Sequence, residues 1–162
     1  MDEQTHWYVV RTHAHAERKA ATNLVRQGFD VFVPEYLKRR HHARRTDWVR
    51  APLFPRYTFV AMDVAQARWR AISSTIGVSE IICHGDKPTP VPKSVIEDIR
   101  ARLDEKGLVP VKPDVPFKRG EMLQVTTGAL ADCFGLFDCE TDEDRIVVLL
   151  DLMGRQLKVK LP

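Results

Sequence analysis

Six histidines and three cysteines are the residues whose types could hold a metal or do covalent chemistry. His13-Ala14-His15, His41-His42 and His84 could each offer imidazole nitrogen. The His-x-His pair falls at the end of a β-rich run, and nearby carboxylates are not spaced as a ligand set. They read as surface histidines. Cys83, Cys133 and Cys139 are odd in number and contain no Cys-x-x-Cys pair, which fits free thiols in a reducing compartment. No nucleophile elbow, phosphate loop or paired-carboxylate motif occurs. We therefore expect a non-catalytic protein with no metal and no cofactor.

The chemistry that does stand out is ionic. Residues 1–105 hold 17 Lys/Arg against 13 Asp/Glu, a net of +4, while 106–162 hold 8 against 9, a net of −1. Within 38–50 there are six basic residues and one acid, Asp47. Lys38, Arg39, Arg40, Arg44 and Arg45 thus concentrate charge in one loop, which points to a polyanion contact. Trp48, His41 and His42 beside them could stack on unpaired bases.

These groups need a scaffold, and 162 residues suggest one ordinary domain or two small ones. No 18-residue apolar run occurs, and the acidic, polar start lacks the apolar core of a secretory signal. No membrane contact and a cytoplasmic location are expected. His6 to Arg11 should form a first strand, Ala14 to Gln27 a helix with Ala16, Ala20, Ala21, Leu24 and Val25 inward, and Phe29 to Pro34 a second strand. The basic segment 35–50 reads as a hairpin-like excursion returning into a strand over Leu53–Val60. That strand carries aromatics on both parities, so both faces should be covered, by the fold or by a partner. A short helix over Ala65–Ser73, a strand over Val78–Cys83 and a helix after Pro92 with Val95, Ile96, Ile99 and Leu103 inward complete the first domain.

Pro110, Pro113 and Pro116 make 107–116 a semi-stiff linker between domains 1–106 and 117–162. Strands at Met122–Thr126, Phe134–Cys139, Arg145–Asp151 and Gln156–Lys160 predict a small antiparallel barrel.

The combination resembles the NusG family of transcription elongation factors, and among them the specialised, RfaH-like paralogues. The resemblance rests on Trp7-Tyr8-Val9-Val10, Glu17-Arg18-Lys19, Phe54-Pro55-Arg56-Tyr57 and Gly77-Val78. A KOW motif follows in Gly120-Glu121, Gly128 to Gly135 and Leu152-Met153-Gly154-Arg155. Nearly the whole chain is covered in family order. The implied fold is α+β, an NGN-type α/β sandwich linked to an all-β, SH3-like KOW barrel.

The family implies a monomeric factor that docks on the clamp helices of bacterial RNA polymerase through an apolar patch and suppresses pausing. Phe54 and Tyr57 match that patch, and by position Tyr8 and Val78 would flank it. Arg68-Trp69-Arg70 corresponds to the segment that meets the polymerase gate loop. Arg11, Arg18 and Lys19 would join Lys38, Arg39, Arg40, Arg44 and Arg45 on upstream or non-template DNA. In the barrel, Leu152, Met153 and Arg155 match the site for a small-subunit ribosomal protein or the Rho termination factor. The RfaH branch can instead fold this domain as helices over the docking patch. Ile146-Val147-Val148 and Gly154 favour strands, so the barrel is expected. The rival reading is an RNA-binding or ribosome-associated KOW protein that never meets polymerase.

Overall fold

β1 (His6–Thr12) is the strand on which the domain is built. The computed structural model describes residues 4–110 and 141–160, with side chains of the last helix as far as Met153. β1 pairs antiparallel with β5 (Tyr57–Met62) on one side and β6 (Val78–Ile81) on the other. β2 (Asp30–Phe32) pairs with the outer edge of β5, giving the order β2-β5-β1-β6. Alternation along β1 and β5 sends their residues to two separate cores. Tyr8, Val10, Val60 and Met62 pack beneath α1 (Glu17–Arg26), which contributes Ala20 and Leu24. Val25, expected on that inward face, is exposed. Trp7, Val9, Phe59 and Ala61 face the other way, against Val95, Ile96 and Ile99 of α2 (Lys93–Ala101). The family-type antiparallel sheet flanked by helices is therefore present.

The hairpin is more regular than the excursion expected from sequence. β3 (Glu35–His42) and β4 (Arg45–Pro52) pair without a break from Glu35↔Pro52 to His42↔Arg45. Ala43 and Arg44 close it, both at positive φ (49° and 64°), the two-residue turn whose twist suits a hairpin. A second small hairpin, β7 (Cys83–His84) and β8 (Lys87–Pro88), occupies the connector before α2.

Four expectations need correcting. The strand expected from Leu53 begins only at Tyr57, because Pro55 lacks a donor and Arg56 turns left-handed (φ 72°), so Tyr57 N–H bonds back to Phe54 O (3.0 Å). The helix expected over Ala65–Ser73 is a 3₁₀ turn, Trp69–Ser74, that buries Ile72. The expected linker starts inside the core: Leu108 and Val109 are buried, and Val109 N–H bonds Glu35 O (2.8 Å).

The largest correction is at the end of the chain. The strands expected at Arg145–Asp151 and Gln156–Lys160 are one helix, α3 (Asp142–Lys160). Thr141 caps it, its hydroxyl accepting Asp144 N–H (3.1 Å), and three acids in the first turn complement the helix dipole. Leu149, Leu152 and Met153 are buried with Trp7, Phe54 and Phe59, and Ile146 and Leu150 are partly buried there. β-branched residues cost a helix only some tenths of a kcal/mol each. Burying a leucine is worth about 1.5–3 kcal/mol, so packing wins over propensity. The strands expected at Met122–Thr126 and Phe134–Cys139 lie outside the described residues.

Candidate nucleic-acid and protein interfaces

The hairpin sorts its cations by parity. Leu37, Arg39 and His41 share one face with Trp48 and Arg50, while Tyr36, Lys38, Arg40 and His42 share the other. Leu37 and Trp48 are exposed, the latter by 60%, which is unusual for a tryptophan with no role at a surface. They line a shallow groove with Leu108, Val109 and Pro110. Arg44 sits in the turn and Arg45 opens β4, both exposed. Arg40 is weakly tied to Asp47 (3.6 Å). The face thus offers an aromatic platform with guanidinium groups beside it, which is what an unpaired base and its phosphate require.

The root of the hairpin is fastened by charge. Glu35 takes Arg18 of α1 (2.9 Å) and Arg50 of β4 (3.4 Å). Arg18 therefore reaches the hairpin root, whereas Lys19 points to solvent from α1. Arg11, at the end of β1, faces Tyr57 in register and pairs with Glu80 (3.7 Å).

Arg56 lies outside the basic run that the sequence marks, yet its turn is tightly constrained. Its left-handed backbone costs a non-glycine residue about 1–2 kcal/mol. Buried Glu17 accepts its N–H (2.9 Å) and Thr12 N–H donates to its carbonyl (2.7 Å), so the turn is held from both sides. The side chain is exposed beside Tyr57. Strain of this kind is kept where a side chain is needed in place.

The apolar interface candidates separate. Phe54 is buried and packs edge-on to Phe59 (5.7 Å between centroids), and Tyr57 is half-buried next to it. Tyr8 and Val78 lie on the opposite side of the sheet, buried beneath α1, so they do not flank Phe54 and Tyr57. Trp69 is half-buried against that second core, with the Arg70 guanidinium over its ring (5.0 Å), and Arg68 is exposed. Leu152 and Met153 are buried against the Phe54 side, and the Arg155 side chain lies outside the described residues.

Sequence reading missed the polar latch that holds α3. Arg145 is 2% exposed, lies over the Tyr36 ring (4.9 Å), donates to Leu53 O (3.0 Å) and pairs with Asp142. Asp142 also accepts the Tyr36 hydroxyl (2.6 Å) and Lys38 Nζ (2.8 Å). Burial, then the Asp142 hydrogen bond and charge, push the Tyr36 phenol up to about 12. The one readable signal was Thr141-x-x-Asp144, a capping pattern ahead of Ile146, Leu149 and Met153 at helical spacing.

Among the described residues no cluster of His, Cys, Asp or Glu could hold a metal ion, and no helix is long and apolar enough to cross a membrane. Fold and site together set a cationic hairpin beside an apolar sheet face that α3 covers. The chain belongs to the NusG family of transcription termination/antitermination factors: the family model described as "Transcription termination factor nusG" matches residues 5–100. The transcription termination/antitermination proteins NusG of Staphylococcus aureus strains Mu50 and N315 are each 27% identical over 168 aligned residues, 96% of this chain and 91% of theirs. A solved structure titled "Domain interaction in Thermotoga maritima NusG" is similar at 25% identity and a TM-score of 0.44, covering 70% of this chain and 68% of that one. The helix α3 lies beyond the residues that the family model matches.

Proposed function

We propose that this chain is a non-catalytic elongation and antitermination factor that docks on the clamp helices of bacterial RNA polymerase and suppresses pausing. The observation that carries this reading is the sheet face around Phe54, Tyr57 and Phe59, closed by a helix from outside the family-matched domain. An apolar face filled by one amphipathic helix can be filled by another. With α3 docked, the polymerase site is covered, and α3 leaves before the factor binds. The cationic hairpin then lies beside the docked face and holds upstream or non-template DNA through Lys38, Arg39, Arg40, Arg44 and Arg45, with Trp48 as its stacking platform. Arg68-Trp69-Arg70 meets the gate loop. Once α3 is released from the sheet, the 117–162 domain recruits a ribosomal protein or Rho through Leu152, Met153 and Arg155.

Purified bacterial RNA polymerase elongating through a defined pause tests this. The chain carrying Leu149→Asp, which frees the face from α3, is expected to shorten the pause, and adding Tyr57→Ala to remove most of that effect. Pause lifetimes unaltered by the Leu149→Asp chain would contradict the proposal.

A further inference from the structure

A cleft of about 420 Å³ opens between the end of β1, the foot of the hairpin and the start of α3. Arg11, Lys38 and Arg56 line it from the sheet domain, and Asp142 and Glu143 line it from α3. Asp142 is bound by Lys38 and the Tyr36 hydroxyl, as well as by Arg145 of its own helix. Glu143 is exposed and makes no ion pair among the described residues, and neither does Arg56. The other acids near these cations are already engaged: Glu80 pairs with Arg11, and buried Glu17 holds the Arg56 N–H. Two carboxylates of the chain's own C-terminal helix therefore sit in a cleft built from three cations.

We infer that this cleft is a phosphate site of the nucleic-acid surface, and that Asp142 and Glu143 occupy the position of a backbone phosphate while α3 is docked. The inference rests on the reading of the hairpin as that surface. Continuity favours a polynucleotide: Lys38 belongs both to the cleft and to the hairpin face that also carries Arg40 and, opposite His42, Arg45. A strand held along the hairpin would end against Lys38, Arg56 and Arg11, where it meets the acidic turn instead. Docked α3 thereby shortens the nucleic-acid footprint as well as covering the apolar face. Arg56 acquires a reason for its strained turn, since among the described residues it is the one cation of the cleft that makes no ion pair, Arg11 being held by Glu80 and Lys38 by Asp142.

The test is fluorescence anisotropy of a labelled single-stranded oligodeoxynucleotide with the full chain, titrated with NaCl. Glu143→Gln and Asp142→Asn together should tighten binding severalfold. The slope of log affinity against log salt should steepen by about 0.7 for each further phosphate neutralised. Adding Arg56→Gly, a residue at home in that turn, should take back about one such step. Glu97→Gln on α2 makes the same charge change as Glu143→Gln away from the cleft and should leave the slope unchanged. Arg44→Ala with Arg45→Ala reads the hairpin separately and should weaken binding in every background. Unchanged slopes in the acid variants, with binding still lost in the hairpin variant, would overturn the cleft while sparing the hairpin reading. Equal tightening by Glu97→Gln, or no reversal by Arg56→Gly, would overturn it too. Retention of polyglutamate but not of the oligonucleotide would assign the cleft to an acidic protein instead. No binding by any form would sink both readings.

Discussion

Tyr36 places its hydroxyl against the Asp142 carboxylate, and that contact sets an alkaline limit on how α3 is held. The neutral phenol is the form the fold favours, because its pKa lies at about 12 in the folded chain against the ordinary 10.0. The resulting stability is complete below pH 10 and is lost as the pH rises through about 12. Hydrogen exchange of the α3 amides should therefore speed up across that window. Tyr36→Phe should remove the pH dependence and loosen α3 at neutral pH by about 1 kcal/mol. Gly77 is a second residue with a measurable limit. At φ +93° an added Cβ would stand 2.9 Å from the Ala20 backbone nitrogen, and backbone cannot step aside. Gly77→Ala should lower stability by about 2 kcal/mol or more, read from the urea midpoint. Gly77-Val78 was legible as a family signature, but its contact with α1 was not, since nothing local to Gly77 names Ala20 as its neighbour.

Among the elements, those whose pattern matched their burial were readable. β1, α1, β2 and α2 carry apolar residues at the period of their own structure, and Pro92 and Gly28 mark the ends of helices. α3 is hidden from such a reading because Arg145-Ile146-Val147-Val148 looks like strand in isolation. Its helical state depends on a sheet face more than 80 residues away in the chain, and on Tyr36 and Leu53 as partners for Asp142 and Arg145. Such long-range partners leave no local trace. If packing decides the element, Leu149→Ala should remove about 2–5 kcal/mol from α3 docking. Exchange at the α3 amides should then rise while β1 and β5 stay protected. Uniform loss across the sheet would show instead that α3 and the domain fold as one unit. Within the candidate site, the cations of 38–45 were legible from their density in sequence. The constraint on Arg56 was not, because it comes from a turn held by Glu17 and Thr12.

At the scale of the molecule, a basic hairpin and an apolar sheet face adjoin, and one helix touches both. α3 covers the apolar face with Leu149, Leu152 and Met153 and meets the hairpin foot with Asp142. On the function proposed above, releasing that single element would expose the polymerase and nucleic-acid surfaces together. The account therefore stands on whether α3 and polymerase compete for the same face. Capture of purified bacterial RNA polymerase by the immobilised full chain is the direct measurement. Leu149→Asp, which cannot be buried against Phe54 and Phe59, should raise capture severalfold over the wild type, and adding Tyr57→Ala should return it to background. Equal capture by the wild type and Leu149→Asp, or capture indifferent to Tyr57→Ala, would contradict the assignment of this face.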